Sequence, residues 1–290
     1  MALESPSDRI GLPAAIAAPA RPAAARPALA ATQRLHLSEW PWVERLARSA
    51  LNPLLDLTRL EAACPDAGLV VLCVGFGQGP LGLDALDVLP ARFAGSLRLH
   101  GLSGEPAALS HRQREYPDHA GLLAALQTQR SCRRSWGRVA LHRGDPRRTL
   151  MRLAGQARLV LLEPDRPEAA PTLYSLDFLL RLTHRLAPGG VLLSASTAPA
   201  LCGALLRLGL AVSRTAAGTA AAWQAELLCQ PMSTRERRRL QGSCQSLPYR
   251  DRTLTWTGQH ILRHRERLGE RLQRRGLGLA TTPATGEPRP

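Results

Sequence analysis

Short apolar runs recur through the middle of the chain, each closed by a glycine- or proline-bearing turn and followed by residues at helical spacing. Leu69-Val-Val-Leu-Cys-Val74 is continuous in apolar character, which predicts a parallel strand covered on both faces. Further strands are predicted at Ser96 to Leu102, Gly137 to His142, Ala157 to Leu162 and Gly190 to Ala195. Between them, helical stretches are predicted at His111 to Arg130, Leu150 to Leu153, Leu173 to Leu186 and Ala200 to Leu208, with Gly209 as the stop of the last. Strands and helices alternating at this length predict an α/β chain with a Rossmann-like, doubly wound parallel sheet between Gly68 and Gly218.

The flanks read differently. Residues 1–34 are an Ala/Pro-rich stretch with Pro19, Pro22 and Pro27 interrupting any apolar core, so it reads as a disordered tail and not as a secretory signal. His36 to Ala62 carries Trp40, Leu46, Leu54 and Leu60 at loose helical spacing, which assigns it to helices at the domain edge. The globular domain is therefore expected to span 35–230, with a C-terminal extension at 231–275 and a second disordered tail at 276–290. In the extension, Ile261, Leu268 and Leu272 share one helical face.

Charge changes the picture only in the extension. Every basic residue is arginine, and with the abundance of Ala, Leu, Pro and Gly this suggests a GC-biased coding sequence. Such a bias does not cluster charge, yet Ser233 to Arg275 holds twelve Arg against four acidic residues, a local balance of 12 − 4 = +8 out of +15. Arginine suits phosphate, so this segment is either a nucleic-acid contact or a packed helix with solvated arginines. No run approaches the length of a transmembrane helix. The six cysteines show no metal-ligand spacing, and a reduced, cytoplasmic, metal-free protein is expected.

Chemistry is expected at the carboxyl ends of the strands, where open α/β sheets bind ligands. Gly75-Phe76-Gly77-Gln78-Gly79 follows the first strand directly, and glycines there allow a tight turn and close approach of a ligand, with helix N–H groups beyond to receive an anion. Glu105, after the second strand, could accept from ribose hydroxyls or be a solvated turn residue. Asp145, after the third, could accept from an adenine amino group or cap the helix that Pro146 opens. Glu163, at the end of the fourth, could take a proton from an amine nucleophile or merely cap the sheet in a polar loop.

Taken in order, VGFGQG at Val74 to Gly79, Gly144-Asp145, Pro171-Thr-Leu-Tyr174, Leu186-Ala-Pro-Gly-Gly190 and Leu247-Pro-Tyr-Arg-Asp-Arg-Thr-Leu254 form a recognisable set. The set resembles the methyltransferase domain of the MnmC-like enzymes of tRNA 5-methylaminomethyl-2-thiouridine synthesis, over roughly Gly68 to Arg267. The resemblance implies a class I fold, S-adenosyl-L-methionine as methyl donor, and the aminomethyl nitrogen of a wobble uridine in tRNA as acceptor. It places Gly75, Phe76, Gly77 and Gly79 on the donor, Asp145 on its adenine, and Glu163 where the family has its active-site Asp. Cys73 stands where the family has an acidic residue on the first strand, and Ser103 where it has one on the second. The family's upstream substrate-side blocks have no counterpart. A catalytically silent relative that binds RNA or protein, and a methyltransferase for another acceptor, therefore remain open.

Overall fold

The computed structural model describes residues 68–91, 96–104 and 106–274. The expected N-terminal helices between His36 and Ala62, both expected tails and Glu105 lie outside the described residues. The strands, in chain order, are β1 (Leu69–Val74), β2 (Leu97–Ser103), β3 (Ser131–Arg134), β4 (Gly137–Arg143), β5 (Ala157–Leu162), β6 (Leu186–Ser194), β7 (Ala211–Thr215) and β8 (Gly218–Ala222). They form one sheet in the order β3-β4-β2-β1-β5-β6-β8-β7. The inner five, β4-β2-β1-β5-β6, are parallel.

The chain starts this sheet in its middle, winds outward through β2 to β4, then returns to β5 on the other side of β1. That reversal makes a topological switch point between β1 and β5. Registers align the strand ends there: Val74 pairs with Leu102 on β2 and with Leu162 on β5. The glycine turn and Glu163, each following its strand, consequently meet at one edge.

Alternate side chains of each strand feed two core layers. Val71 and Cys73 join Leu99, Leu159 and Leu161 in one; Leu72 and Val74 join Leu102, Val160 and Leu162 in the other. The first layer is covered by α1 (Leu81–Val88), α2 (Pro106–Glu115) and α3 (Ala120–Gln129), the second by α4 (Pro146–Arg152), α5 (Leu176–Thr183) and α6 (Pro199–Arg207).

Several expected elements shift for identifiable reasons. The helix expected over His111 to Arg130 is divided into α2 and α3 by a 3-10 turn at Pro117–His119. The one expected from Leu150 begins at Pro146, because Asp145 caps it. The one expected from Leu173 begins after Ser175, whose hydroxyl accepts from the Phe178 N–H. Gly209 ends α6 as expected, at φ 87°. The sheet is mixed, not wholly parallel: β3 lies antiparallel on β4, and β8 antiparallel between β6 and β7. Neither β3, Ser-Cys-Arg-Arg, nor β8, Gly-Thr-Ala-Ala-Ala, has the branched apolar run that marks a strand.

The arginine-rich extension is an integral layer. It contains α7 (Thr234–Gln241), opened by a capping box between Ser233 and Glu236, and α8 (Gly258–Arg274). Between them, Tyr249 is fully buried and makes a parallel bridge to Ser175. Ile261 of α8 is buried as its periodicity predicts, while Leu268 and Leu272 are half-buried.

Candidate functional site

The glycine turn is best understood by accounting for its backbone donors. The N–H groups of Gly75 and Phe76 both go to the Leu102 carbonyl, at 2.9 and 3.0 Å, and that of Gln78 closes on Gly75 at 2.8 Å. The N–H groups of Gly77 and Gly79 both donate to Oε2 of Glu163, at 2.8 Å each. Every donor in the turn is therefore spent inside the protein. The sequence-based expectation places the anion-receiving N–H groups on the helix beyond the turn; of these, the Gly82 N–H also goes to Glu163, at 2.7 Å.

What the turn presents to α2 is a pair of carbonyls. Gly75 and Gly77 adopt φ of 77° and 90°, a region open to glycine, and this reverses the direction of their peptides. The carbonyls of Gly77 and Gln78 accept from the Arg112 guanidinium of α2 at 3.3 and 3.1 Å. Leu109 of the same helix lies over Gly77, its Cδ2 2.8 Å from where a Cβ would stand. Phe76 points the other way: its ring is fully buried against Gly101 and Gly82, where a Cβ would come within 2.8 Å of it. Its part in the turn is to anchor it to the core.

Glu163 is 1% exposed. Its Oε1 accepts from the Gly82 N–H of α1 at 2.7 Å and from the Cys73 thiol at 3.2 Å. Burial pushes its pKa up to about 7, against the opposing pull of the Gly79, Cys73, Gly82 and Gly77 hydrogen bonds. Burial, then the charge and hydrogen bond of Glu163, push the Cys73 thiol well up, so it stays protonated and donates. The expected proton acceptor thus faces the turn and not the solvent side of the sheet.

Asp145 takes up its alternative role, the helix cap. Its carboxylate accepts from the Arg147 N–H at 2.9 Å and from the Arg147 guanidinium at 2.7 to 3.1 Å. Burial raises its pKa, but the hydrogen bonds and charge of Arg147 outweigh that and leave it below its ordinary value. The other arm of Arg147 reaches Asp251 at 2.6 Å and the Trp256 carbonyl at 2.9 Å. The structure therefore unites Gly75, Gly77, Gly79 and Glu163, and keeps Asp145 apart, tied to the extension. Arg112 and Arg147 carry no signal in the sequence that marks them among so many arginines; only the fold brings them to these carbonyls and carboxylates.

A parallel sheet with this order, closed by an antiparallel strand and carrying a glycine turn at its switch point, defines a Rossmann-like domain of the class I methyltransferase type. Residues 108–220 match the family model described as S-adenosyl-L-methionine-dependent methyltransferase. Over that segment, less than half of the chain, it is similar to methyltransferases that use S-adenosyl-L-methionine as methyl donor. Among solved structures it is similar to MnmC2 from Aquifex aeolicus, at 22% identity and a TM-score of 0.62, over 80% of this chain and 76% of that one. An uncharacterized protein of Methanocaldococcus jannaschii is 30% identical over 141 residues, 47% of this chain. The chain spans about 40% of that relative's length.

The turn fits this donor through its carbonyls. Two of them already accept from a cation, the Arg112 guanidinium, and the donor's amino group is likewise a cation. No group of three or more His, Cys, Asp or Glu that could hold a metal ion occurs among the described residues, and no helix among them is long and apolar enough to cross a membrane.

Proposed function

We propose that this domain holds S-adenosyl-L-methionine at the carboxyl ends of β1, β2 and β4 and methylates the aminomethyl nitrogen of a wobble uridine in tRNA. When bound, the donor supplies an electrophilic methyl group on a sulfonium. Gly77 and Gln78 would take its amino group on their carbonyls, in place of Arg112, and Asp145 would lie towards its adenine. The observation that carries the donor assignment is the glycine turn at the β1/β5 switch point, with its N–H groups spent on Leu102, Gly75 and Glu163 and its Gly77 and Gln78 carbonyls accepting from a cation. The tRNA assignment is supported by the ordered sequence resemblance and by the extension, where Arg235, Arg237, Arg238 and Arg239 of α7 stand exposed. An RNA partner fits that charge, and we place the enzyme in the cytoplasm. We place the catalytic domain within 35–230, with 231–275 as its docked extension.

A second reading, a relative that binds RNA without catalysis, is favoured by Leu109 and Arg112 covering the turn and by Arg147 occupying Asp145. Titration calorimetry with S-adenosylhomocysteine separates the two. Micromolar-range binding is expected from the enzyme; an absence of binding heat selects the silent relative. Mass spectrometry of tRNA nucleosides from a deletion strain then tests the acceptor: loss of the methyl on the wobble uridine is expected, and an unchanged nucleoside profile removes tRNA as the substrate.

A further inference from the structure

We propose that Glu163 is a positioning residue, which braces the glycine turn and the start of α1 from the neighbouring strand and so sets the shape in which the turn receives the donor. The inference rests on the reading of the turn as a donor site. It replaces a role for Glu163 in accepting a proton from the methyl acceptor.

Three observations converge. The carboxylate's four contacts divide evenly: Oε2 takes Gly77 and Gly79 of the turn, Oε1 takes Gly82 of α1 and Cys73 of β1. One side chain, directly after β5, thereby ties together β1, the turn and the first helix, taking up N–H groups that have no intrahelical partner at a helix start. Secondly, the surrounding glycines are shaped to it. A Cβ on Gly82 would stand 2.5 Å from Glu163 Oε1, and one on Gly79 2.6 Å from the Glu163 carbonyl oxygen. These two positions need glycine because Glu163 fills the space. Thirdly, Cys73 Sγ lies 3.2 Å from Oε1, so a carboxylate carried on residue 73 instead would reach into the same cluster of N–H groups.

The chemistry of an amide separates bracing from proton transfer. A glutamine at 163 has one acceptor oxygen, so at least one N–H among Gly77, Gly79 and Gly82 loses its partner. Glu163→Gln is expected to weaken S-adenosylhomocysteine binding by about tenfold to a hundredfold, the scale of one charge-assisted hydrogen bond. It should also speed amide hydrogen exchange at Gly77, Gly79 and Gly82 by at least about tenfold. The double variant Cys73→Asp/Glu163→Gln returns a carboxylate to the cluster from the other strand and should recover most of both losses. Should Glu163→Gln alone be too unstable to purify, the double variant carries the test, and its failure to fold or to bind overturns the proposal. Unchanged binding and exchange in Glu163→Gln, with methyl transfer lost, also overturns it, in favour of a proton acceptor. A wild-type protein that binds no S-adenosylhomocysteine removes the donor reading, and with it the donor half of this proposal. Exchange at the three glycines still judges the brace: rates equal in wild type and variant would remove that too.

Discussion

Burying a carboxylate beneath a glycine turn makes its protonation part of the folding equilibrium. Glu163 has a folded pKa of about 7 against an ordinary 4.5. The folded state thus holds the proton more tightly than the unfolded chain does. Its contribution to stability is complete below about pH 4.5 and is lost as pH rises through 7, a change on the order of 3 kcal/mol. His100 and His142, stacked across β2 and β4, work against it in the same window. Burial, and for His100 also the charge of His142, hold their pKa values low, so their contribution is lost as pH falls. The difference between proteins isolates the carboxylate. Thermal midpoints between pH 5 and 8 should fall further in the wild type than in Glu163→Gln; parallel profiles would show that Glu163 does not titrate there.

At the scale of elements, the extension is held by two carboxylate clamps. Asp177 of α5 accepts from the Arg250 guanidinium at 3.0 Å twice and from the Asp251 N–H at 2.8 Å. Asp251, fully buried, accepts from the N–H groups of Thr255 and Trp256 at 3.1 Å and from Arg147 of α4. Arg147→Met leaves that buried charge without its cation and is expected to cost about 3 kcal/mol, since breaking a buried pair is more damaging than its absence. Thermal denaturation checks this; a shift within about one degree would mean the clamp is not under load. The Pro248-Tyr-Arg-Asp251 segment belongs to the set that carries the family resemblance, and its chemistry here is mechanical. Of the five parallel strands, β1, β5 and the end of β6 were legible because burial on both faces demands apolar runs, and β2 and β4 because buried Leu and Val alternate there with Arg and His. The alanine-built β8 and the arginine-built β3 were not, because their positions derive from neighbours and not from their own propensity. Likewise the glycine turn was legible, but the direction of its N–H groups was not. Only the approach of Glu163 from another strand decides it, and periodicity carries no such information.

For the molecule as a whole, the extension completes the core. Tyr249 and Ile261 are fully buried in the same layer as Tyr174, Phe178 and Leu182. Burying each such side chain contributes roughly 1.5–3 kcal/mol, and whole domains are stable by only about 5–15 kcal/mol. A chain ending at Pro231 is therefore expected to lose cooperative unfolding, by circular dichroism and by calorimetry; a truncated protein with an unaltered midpoint would show the extension to be dispensable.

The lateness of those residues along the chain has a consequence for biosynthesis. Arg147, Tyr174 and Phe178 leave the ribosome well before Asp251 and Ile261 exist. At roughly 5–20 residues per second the interval is on the order of ten seconds. During it, α4, α5 and α6 already cover the sheet but stand without the extension, with the Arg147 guanidinium and the apolar side chains around Tyr174 and Phe178 awaiting partners not yet made. Folding of this domain is thus timed by translation of its last helix. A pause in the message ahead of that helix would prolong exposure of the half-built layer, and would show as dependence on holding chaperones and not as altered stability of the finished protein.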